Sequence, residues 1–475
     1  MKIHYLQEPE LEFGFGSRHI DIRFGLANYG PHDIGSKDAP KSIPVGIVGI
    51  PQDVDRVRLF LDACRREIPA PKTRQPNLRP AFPGFRPDLA FHSTLDLDDS
   101  LVQTIPPKFF EGLGRIGKSN DIVREAVSRF RAEFDFLHRN RGPKVLICAV
   151  PDEVAKLLDP NQRPSVASAE PLLNFHGLLK AECLTMPPLQ LMLPSTSDPA
   201  KARRRKQAQT TRPLQDEATR AWNLHTALYY KALGRPWRLG QDPKEFQTCF
   251  VGVSFYQTLD RSVVQTSSAQ VFDERGYGMI VQGGPAEIVK DDRTPHLTEG
   301  DAAILLEKAL LEYRQAHGHM PARVVLHKTS YFTGAEKAGF QAQCEKERID
   351  RIDMISIASD PSQRVYRYGA YPPLRGTLLQ LDDVDHLLFT RGSVPFYATY
   401  PGLYVPKPLL FRCESVQESS VKIARELLAL SKLNWNRTQF DGTDPITTVA
   451  AESVGKILKY LPSNPQFSAR YSHFM

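Results

Sequence analysis

Short apolar runs alternate with longer amphipathic stretches along this chain. The runs are rich in β-branched residues and bounded by polar, Gly or Pro residues, which predicts buried strands at 45–50, 145–150, 189–193, 249–255, 323–328, 354–358 and 386–390. Apolar residues at i, i+3 and i+4 predict helices at 53–68, 120–140, 299–318, 419–433 and 447–461. Strands that are apolar on both faces, with helices between many of them, predict an α/β architecture with covered sheets.

The length of 475 residues suits two or three domains. The polar, Gly- and Pro-containing stretch GRPWRLGQDPKE (234–245) marks a boundary between two α/β units. We therefore predict a first domain over 1–240 and a second over 241–475. Two surface loops are predicted, one proline-rich at 69–87 and one polar and basic at 195–217.

Hydropathy and cysteine usage predict a cytoplasmic protein that does not enter a membrane. The longest apolar runs, such as VLICAV (145–150), are far shorter than a membrane span. The first residues, MKIHYLQEPELEFG, contain no apolar core of a secretion signal. The six cysteines are scattered without a CxxC pair, which is typical of reduced, mostly buried thiols.

The positive charge of the chain is concentrated in one segment. The net charge is +7, yet residues 201–240 alone carry ten Lys or Arg against two acidic residues, or +8. An isolated basic run such as KARRRK is most often a solvated loop. Because this one segment carries the whole excess charge, we predict that Arg203, Arg204 and Arg205 contact the backbone of a nucleic acid.

The segment FVGVSFYQT (250–258) raises a question about catalysis. Its apolar residues predict a buried strand that bends at Gly252 and reaches its exposed end at Ser254. A Gly-rich hairpin (276–284), a long helix and a strand ending in HKTSYFTG follow, which is the order of a ribonuclease-H-like unit. In such units, carboxylates at the ends of adjacent strands hold two metal ions for phosphodiester hydrolysis.

Six segments together resemble the short class of prokaryotic Argonautes. They are PELEFG…GPHDIG (9–35), FHGLLK…LQLM (175–192), NLHTALYYKALGRPW (223–237), FVGVSFY (250–256), VVLHKTS (324–330) and SKLNWNRTQF…PITTVAAESVGKI (431–457). The resemblance lies in their order and spacing and covers most of the chain. It implies a Rossmann-like MID domain with an N-terminal extension at 1–240 and a ribonuclease-H-like PIWI domain at 241–475.

The resemblance also implies that the PIWI catalytic carboxylates are replaced. Ser254 occupies the position where catalytic members have the Asp of a GxD pattern. Thr329, after Lys328, occupies the position of a second Asp. Asn434 occupies the position of the last acidic ligand, before a Trp-Asn pair. Neutral hydroxyl and amide oxygens hold and balance Mg²⁺ poorly. The chain is therefore expected not to be an enzyme.

A guide-end site, in contrast, matches the family pattern. His176 and Lys180 are four residues apart and therefore share one helix face. In the family, a Tyr or His, a Lys, a Gln and a second Lys bind the 5′-phosphate of the guide. His176, Lys180, Gln190 and Lys231 match this set in the same order. In many relatives a divalent cation also joins the phosphates to the C-terminal carboxylate. The resemblance thus implies Mg²⁺ at the guide phosphate, with the carboxylate of Met475 as its ligand.

The function implied by the resemblance is that of a guide-directed sensor in a prokaryotic defence system. It would bind a short guide RNA and a complementary target single-stranded DNA. It would then activate a partner protein that carries an APAZ region and a sirtuin-like or TIR domain, and that partner would deplete NAD. One alternative is an active metal-dependent nuclease in which Asp260, Glu287 or Asp441 supplies a carboxylate. Another is a scaffold that binds no nucleic acid.

Overall fold

A computed structural model describes the chain except for residues 74, 114–118, 158–170, 203–213, 241–244, 273–277, 289–293, 359–361, 370, 398–404, 440–441, 443 and 462–468; for 267–272 and 469 it describes the backbone only. Its strands are β1 (Lys2–Tyr5), β2 (Leu11–Glu12), β3 (Arg18–His19), β4 (Ser42–Gly49), β5 (Thr94–Asp96), β6 (Val102–Thr104), β7 (Val145–Ala149), β8 (Leu189–Met192), β9 (Arg238–Leu239), β10 (Thr248–Gln257), β11 (Val264–Phe272), β12 (Gly278–Val281), β13 (Glu287–Ile288), β14 (Pro295–His296), β15 (Arg323–Lys328), β16 (Arg351–Ala358), β17 (Thr377–Gln380), β18 (Asp385–Leu388), β19 (Leu409–Ser415) and β20 (Ala469–Arg470).

Helices connect many of these strands. They are α1 (Ile22–Tyr29), α2 (Pro51–Ala63), α3 (Pro107–Leu113), α4 (Ser119–Arg141), α5 (Asp152–Leu157), α6 (Phe175–Glu182), α7 (Pro194–Ser197), α8 (Glu217–Lys231), α9 (Glu299–His317), α10 (Gly334–Lys346), α11 (Ser420–Leu430) and α12 (Ile446–Leu458). Local sequence fixes several ends: the Thr333 side chain and Glu336 form a capping box at α10, and Gly318 ends α9 in the left-handed conformation. No helix in the described part of the chain is both long and apolar enough to cross a membrane.

The first sheet is parallel and covered on both faces. Its order is β5-β4-β7-β8, with β6 also pairing with β4. Alternate residues of β4 and β7 pack into two separate cores: Ile47 contributes to the core that contains α2 and α8, and Val48 to the core that contains α4 and α6. This is the covered Rossmann-like arrangement that the continuous apolar strands predict, so the predicted fold class is confirmed for this part.

The second sheet is mixed and has the order β1-β17-β18-β19-β16-β15-β10-β11-β12-β20. At its centre β10, β15 and β16 run parallel, so their carboxyl ends lie at the same edge. Val251 and Val253 pack towards α9 and α10, whereas Phe250 packs towards α11 and α12. The predicted hairpin after β10 is present, because β11 pairs antiparallel with both β10 and β12.

The two units meet through segments from distant parts of the chain. Strand β1 pairs with β17 in the second sheet, although it lies in the N-terminal part of the sequence. Strands β2, β3 and β9 form a small sheet of their own. The ring of Tyr230 stacks on Trp435 at 4.5 Å, and Trp237 donates to the Lys432 carbonyl at 3.2 Å. The domain boundary at residue 240 stays a prediction.

The structure corrects the expectation for Ser254. This residue is not at the exposed end of its strand: it is 3% exposed, and β10 continues to Gln257. The irregularity in β10 pairing falls between Val253 and Phe255 rather than at Gly252. Gly252 is needed for another reason, since a Cβ there would lie 2.2 Å from the Thr447 carbonyl oxygen at the start of α12.

The proline-rich segment at 69–87 is also more than a surface loop. Phe82 and Phe85 within it are almost completely buried. The Phe82 ring lies 5.2 Å from Trp222 and 5.1 Å from His225, both on α8. The prolines of the segment suppress regular structure, but its aromatic side chains complete the core between α2 and α8.

Candidate functional site

Helix α6 positions two of the sequence-predicted site residues. Asn174 caps it by accepting a hydrogen bond from the Gly177 amide at 3.0 Å, while Phe175 and Leu179 enter the core beside α4. His176 in the first turn and Lys180 one turn later therefore lie on another face of the helix. His176 is exposed, whereas Lys180 is only 2% exposed.

A second lysine, Lys231 at the end of α8, lies within electrostatic range of both residues. It is 1% exposed, and its Nζ has no hydrogen-bond partner among the described residues. Neither Lys180 nor Lys231 forms an ion pair among the residues that the structure describes. Two buried ammonium groups thus lie close together without a counter-ion, which is costly unless an anion binds there.

The pKa values of Lys231, Lys180 and His176 reflect the cost of burying positive charge. Burial lowers the pKa of Lys231 to about 7. Burial and the charge of Lys231 hold the pKa of Lys180 well below its usual range. Desolvation by surrounding protein atoms, followed by the charges of the two lysines, lowers the pKa of His176 to about 3, although the residue keeps an exposed surface. In the free protein the imidazole is therefore neutral at pH 7.

His176 lines a pocket of about 540 Å³ between α6 and α12, which we call the His176 pocket. Its wall includes the first turn of α6, the side chains of Arg437, Lys456 and Lys459, and Met475. Helix α6 approaches α12 closely because Gly177 has no side chain: a Cβ there would lie 2.6 Å from the Tyr460 ring. The described lining contains no Asp or Glu. A helix N-terminus and several cations therefore face the same space, which favours an anion.

Gln190 lies on β8 and lines a neighbouring pocket of about 770 Å³, the Gln190 pocket. Its amide donates to the Leu191 carbonyl at 3.1 Å. Arg220 and Asn223 of α8 form another wall, and the described lining again contains no acidic residue. Asn436 and Arg437 line both pockets, so the two cavities adjoin.

Asn434, which the sequence groups with Ser254 and Thr329, lines the His176 pocket, and neither of the other two residues does. Its side-chain oxygen accepts a hydrogen bond from the Asn436 amide at 3.0 Å. Its assignment as a replaced catalytic position stays a prediction. Met475 lies in the same pocket and is 8% exposed.

Ser254 lies within β10, and Thr329 directly follows β15. Val253 of β10 pairs with Lys328 of β15, so the residues after this pair are Ser254 and Thr329. Thr329 is exposed. Lys328 is buried, and its ammonium lies 2.5 Å and 2.7 Å from the two carboxylate oxygens of Glu336. Glu336 is therefore already neutralised by an ion pair.

The acids proposed as substitutes have other surroundings. Asp260 accepts hydrogen bonds from the hydroxyls of Thr258 and Ser262 at 2.6 Å and 2.7 Å, and it shapes an exposed turn after β10. These bonds lower the pKa of Asp260 to about 2. Glu287 is exposed on β13, and Asp441 lies outside the described residues. Within the described part of the chain, no three His, Cys, Asp or Glu residues gather in a way that could hold a metal ion.

Sequence reasoning missed several residues of these pockets. Arg437, Lys456 and Asn174 gave no periodic or motif signal of their own, although Arg437 and Lys456 lie inside the segments that carry the family resemblance. The cationic wall follows from the packing of α12 against α6. The predicted backbone contacts Arg203, Arg204 and Arg205 lie outside the described residues.

Comparison with known proteins gives matches in structure. No protein-family model matches the sequence, and neither does any curated protein. Clostridium butyricum Argonaute, solved with a guide DNA and a 19-mer target DNA, matches 97% of this chain with a TM-score of 0.67 and 14% identity. Drosophila Piwi and A. aeolicus Argonaute each match 99% with TM-scores of 0.60 and 13% identity. The chain spans 53–56% of the length of these three structures. It therefore has an Argonaute-like fold.

Proposed function

We propose that this chain, whose fold is that of Argonaute and Piwi proteins, binds the phosphorylated 5′ end of a short guide strand and presents the guide to a complementary strand. The observation that carries the proposal is the buried, unpartnered ammonium of Lys231 beside Lys180 and His176. Buried charges are normally paired. An anion delivered by a ligand supplies the missing counter-charge.

A terminal phosphate suits this position better than a small free anion. It carries nearly two negative charges and three strong acceptor oxygens, enough for two lysines and a helix N-terminus. Lys180 and Lys231 are buried and line neither pocket, so their flexible stems must turn the ammonium groups towards the anion. The two adjoining pockets, of about 540 and 770 Å³, leave room for the nucleotides that follow the phosphate.

The remaining polar groups suit the rest of the guide end. Gln190 supplies a directional amide in the adjoining pocket, and the exposed imidazole of His176 offers a hydrogen bond or a surface for the first base. Arg437, common to both pockets, provides a guanidinium for a backbone phosphate. We include Arg203, Arg204 and Arg205 as further backbone contacts, on the charge of their segment alone.

The side chains of the His176 pocket do not by themselves suit Mg²⁺, because the described lining offers amide oxygens and no carboxylate. Mg²⁺ at the guide phosphate would need the phosphate oxygens and a free α-carboxylate on Met475. The Met475 carboxylate would then hold the cation next to the guide phosphate. In this chain lysine and arginine side chains supply the charge that balances the phosphate.

We propose further that the chain is a sensor rather than a nuclease. The neutral residues Ser254, within β10, and Thr329, directly after β15, support this. Sequence resemblance supports the finer assignment: a guide RNA, a target single-stranded DNA, and an APAZ-containing partner whose sirtuin-like or TIR domain depletes NAD when the target is recognised. In that assignment the result is abortive infection of the invaded cell.

A titration of the purified protein with two guides tests the function. The guides share one sequence of about twenty nucleotides and differ only in a 5′-phosphate or a 5′-hydroxyl. We expect the phosphorylated guide to bind at least tenfold more tightly, since each charge-assisted contact contributes about 1.5–3 kcal/mol. RNA and DNA versions of both guides identify the preferred sugar. Equal affinity for the two 5′ ends would contradict the proposed pocket.

The affinity for the phosphorylated guide should depend on pH. Above pH 7 Lys231 is mostly neutral in the free protein and must take up a proton to pair with the phosphate. Lys180 has a lowered pKa for the same reason, and neutral His176 and His473 lie beside them. We expect affinity to fall as pH rises above 7, by up to about tenfold per pH unit for each lysine. The 5′-hydroxyl guide is the control and should show a flatter profile between pH 7 and 9.

A further inference from the structure

Outside these pockets, one exposed segment alternates arginine and tyrosine. Residues 362–369 read SQRVYRYG and follow β16 after three residues outside the described part of the chain. Tyr366 is 74% exposed and Tyr368 fully exposed. Single exposed apolar side chains are common on protein surfaces, but here two exposed aromatic rings stand two residues apart, next to arginine. Neither Asp nor Glu occurs between residues 362 and 373.

The base of this segment is firmly held. Val365 packs against Leu379, Leu387 and Phe389 on the second sheet. The Arg367 guanidinium donates to the Tyr371 carbonyl at 3.0 Å and closes the turn around Gly369, whose φ of +117° favours glycine. A rigid base keeps the two exposed rings in place, which reduces the entropy lost when a ligand stacks on them.

Further along, Arg375 anchors the end of the segment. It is 2% exposed, pairs with Glu8 at 2.9 Å and donates to the Ser431 hydroxyl at 2.8 Å. Its own amide donates to the Ser393 carbonyl at 2.9 Å. The tyrosines therefore project from a segment that is fixed on both sides.

The position of the segment in the sheet indicates its ligand. It follows the carboxyl end of β16, which runs parallel to β15 and β10, so it leaves the sheet at the edge where Ser254 and Thr329 lie. Exposed aromatic rings interleaved with arginine are the typical surface for unpaired nucleotides: bases stack on the rings, and guanidinium groups contact phosphates. Arginine and tyrosine also suit protein interfaces, but the lack of Asp and Glu within residues 362–373 and the position at this edge favour a polyanion.

We infer that Tyr366 and Tyr368, together with Arg364, form a stacking platform for a single-stranded nucleic acid segment. This inference rests on the proposed function, because it supplies a second contact surface for the strands that the pockets engage. The platform would also prefer unpaired over paired nucleotides, because a base within a duplex has no free face to stack on a side chain.

Fluorescence anisotropy with a labelled oligothymidine of about twenty nucleotides tests the platform. The oligonucleotide carries a 5′-hydroxyl, so that the measurement does not depend on the His176 pocket. We expect each of Tyr366→Ala and Tyr368→Ala to lower its affinity roughly 5- to 100-fold, the range for loss of one base–aromatic stack. Tyr366→Phe and Tyr368→Phe keep the ring and should bind like wild type. Arg364→Gln should make the slope of log affinity against log salt concentration shallower, by the amount expected for about one phosphate contact.

Duplex binding and thermal unfolding are the controls for the two tyrosines. The affinity for a duplex of the same length should change less than threefold in the alanine variants, and thermal unfolding should be unchanged because both rings are exposed. Two results would contradict the platform. In the first, both alanine variants bind the single strand as tightly as wild type. In the second, the phenylalanine variants lose as much affinity as the alanine variants, and either result would favour a protein-binding role for this segment. A missing 5′-phosphate preference combined with tyrosine-dependent binding would contradict only the guide-end pocket.

Discussion

Replacing Lys180 and Lys231 with methionine is expected to abolish the preference for a 5′-phosphorylated guide and to stabilise the free protein. Two charge-assisted contacts of about 1.5–3 kcal/mol each are lost, which corresponds to about 10²–10⁴ in affinity. Methionine has a similar volume, so the buried space remains filled. Because the ammonium of Lys231 has no partner in the free protein, its removal relieves a desolvation cost. Replacing buried charges with apolar residues of similar size can raise stability by about 1–4 kcal/mol.

The stability effect has its own pH signature. The pKa of Lys231 is about 7 in the folded protein and 10.5 without burial, so between these values the unfolded chain binds more protons. The contribution of this lysine therefore makes the wild-type protein more stable as pH rises from 7 towards 10.5. The gain from Lys231→Met should be largest at or below pH 7 and should shrink towards pH 10.

Thermal unfolding at pH 6 and pH 9, together with guide titrations, measures both effects. Lys308→Met is a matched control, because Lys308 is exposed on α9 and only donates to the Gln282 carbonyl at 3.3 Å. This variant should leave guide binding and stability nearly unchanged. A double variant that keeps the 5′-phosphate preference, or that is less stable than wild type at pH 6, would show that the two lysines are not an anion site.

The guide-loaded protein is expected to leave a fully complementary target uncut in Mg²⁺ or Mn²⁺. Two-metal hydrolysis requires carboxylates that hold both ions, and Ser254 in β10 and Thr329 after β15 offer only hydroxyl groups. Glu336 is neutralised by Lys328, and Asp260 is engaged by Thr258 and Ser262. Since enzymes typically accelerate such reactions more than 10⁶-fold, a competent site would be obvious in an overnight assay.

Denaturing gel electrophoresis of labelled target, sampled over hours, provides the measurement. Asp260→Ala is the informative variant because Asp260 is the nearest proposed substitute in sequence after β10. A discrete product in wild type that disappears in Asp260→Ala would identify a metal site and overturn the sensor assignment. If the product persists in this variant, Glu287→Ala, Asp441→Ala and further purification distinguish another carboxylate of this chain from a contaminating nuclease.

Much of the fold was accessible from periodicity. The predicted strand at 323–328 coincides with β15, and the predicted helix at 299–318 differs from α9 by one residue. These elements are long and their apolar pattern is regular, because each one buries a continuous face. Strands of two residues, such as β2 and β9, are too short to carry a pattern.

The candidate site was only partly accessible. The i, i+4 spacing of His176 and Lys180 is a local property, so the sequence could place them on one helix face. The meeting of Lys180 with Lys231, and of Asn434 with His176, depends on how α8 and α12 pack against α6. That no described residue pairs with Lys231 is likewise a tertiary property, visible only from the surroundings of its side chain in space.

The sequence by itself thus determined the element types, the two covered sheets and the chemistry available in each segment, because these depend on side-chain periodicity and residue type. The tertiary structure decided the pairing of β1 with β17, the burial of Phe82, and the placement of Asn434 and His176 in one pocket. These features join residues that are far apart in the chain. Contacts of that kind are selected by the packing of the whole core, and no local pattern of apolar and polar positions specifies them.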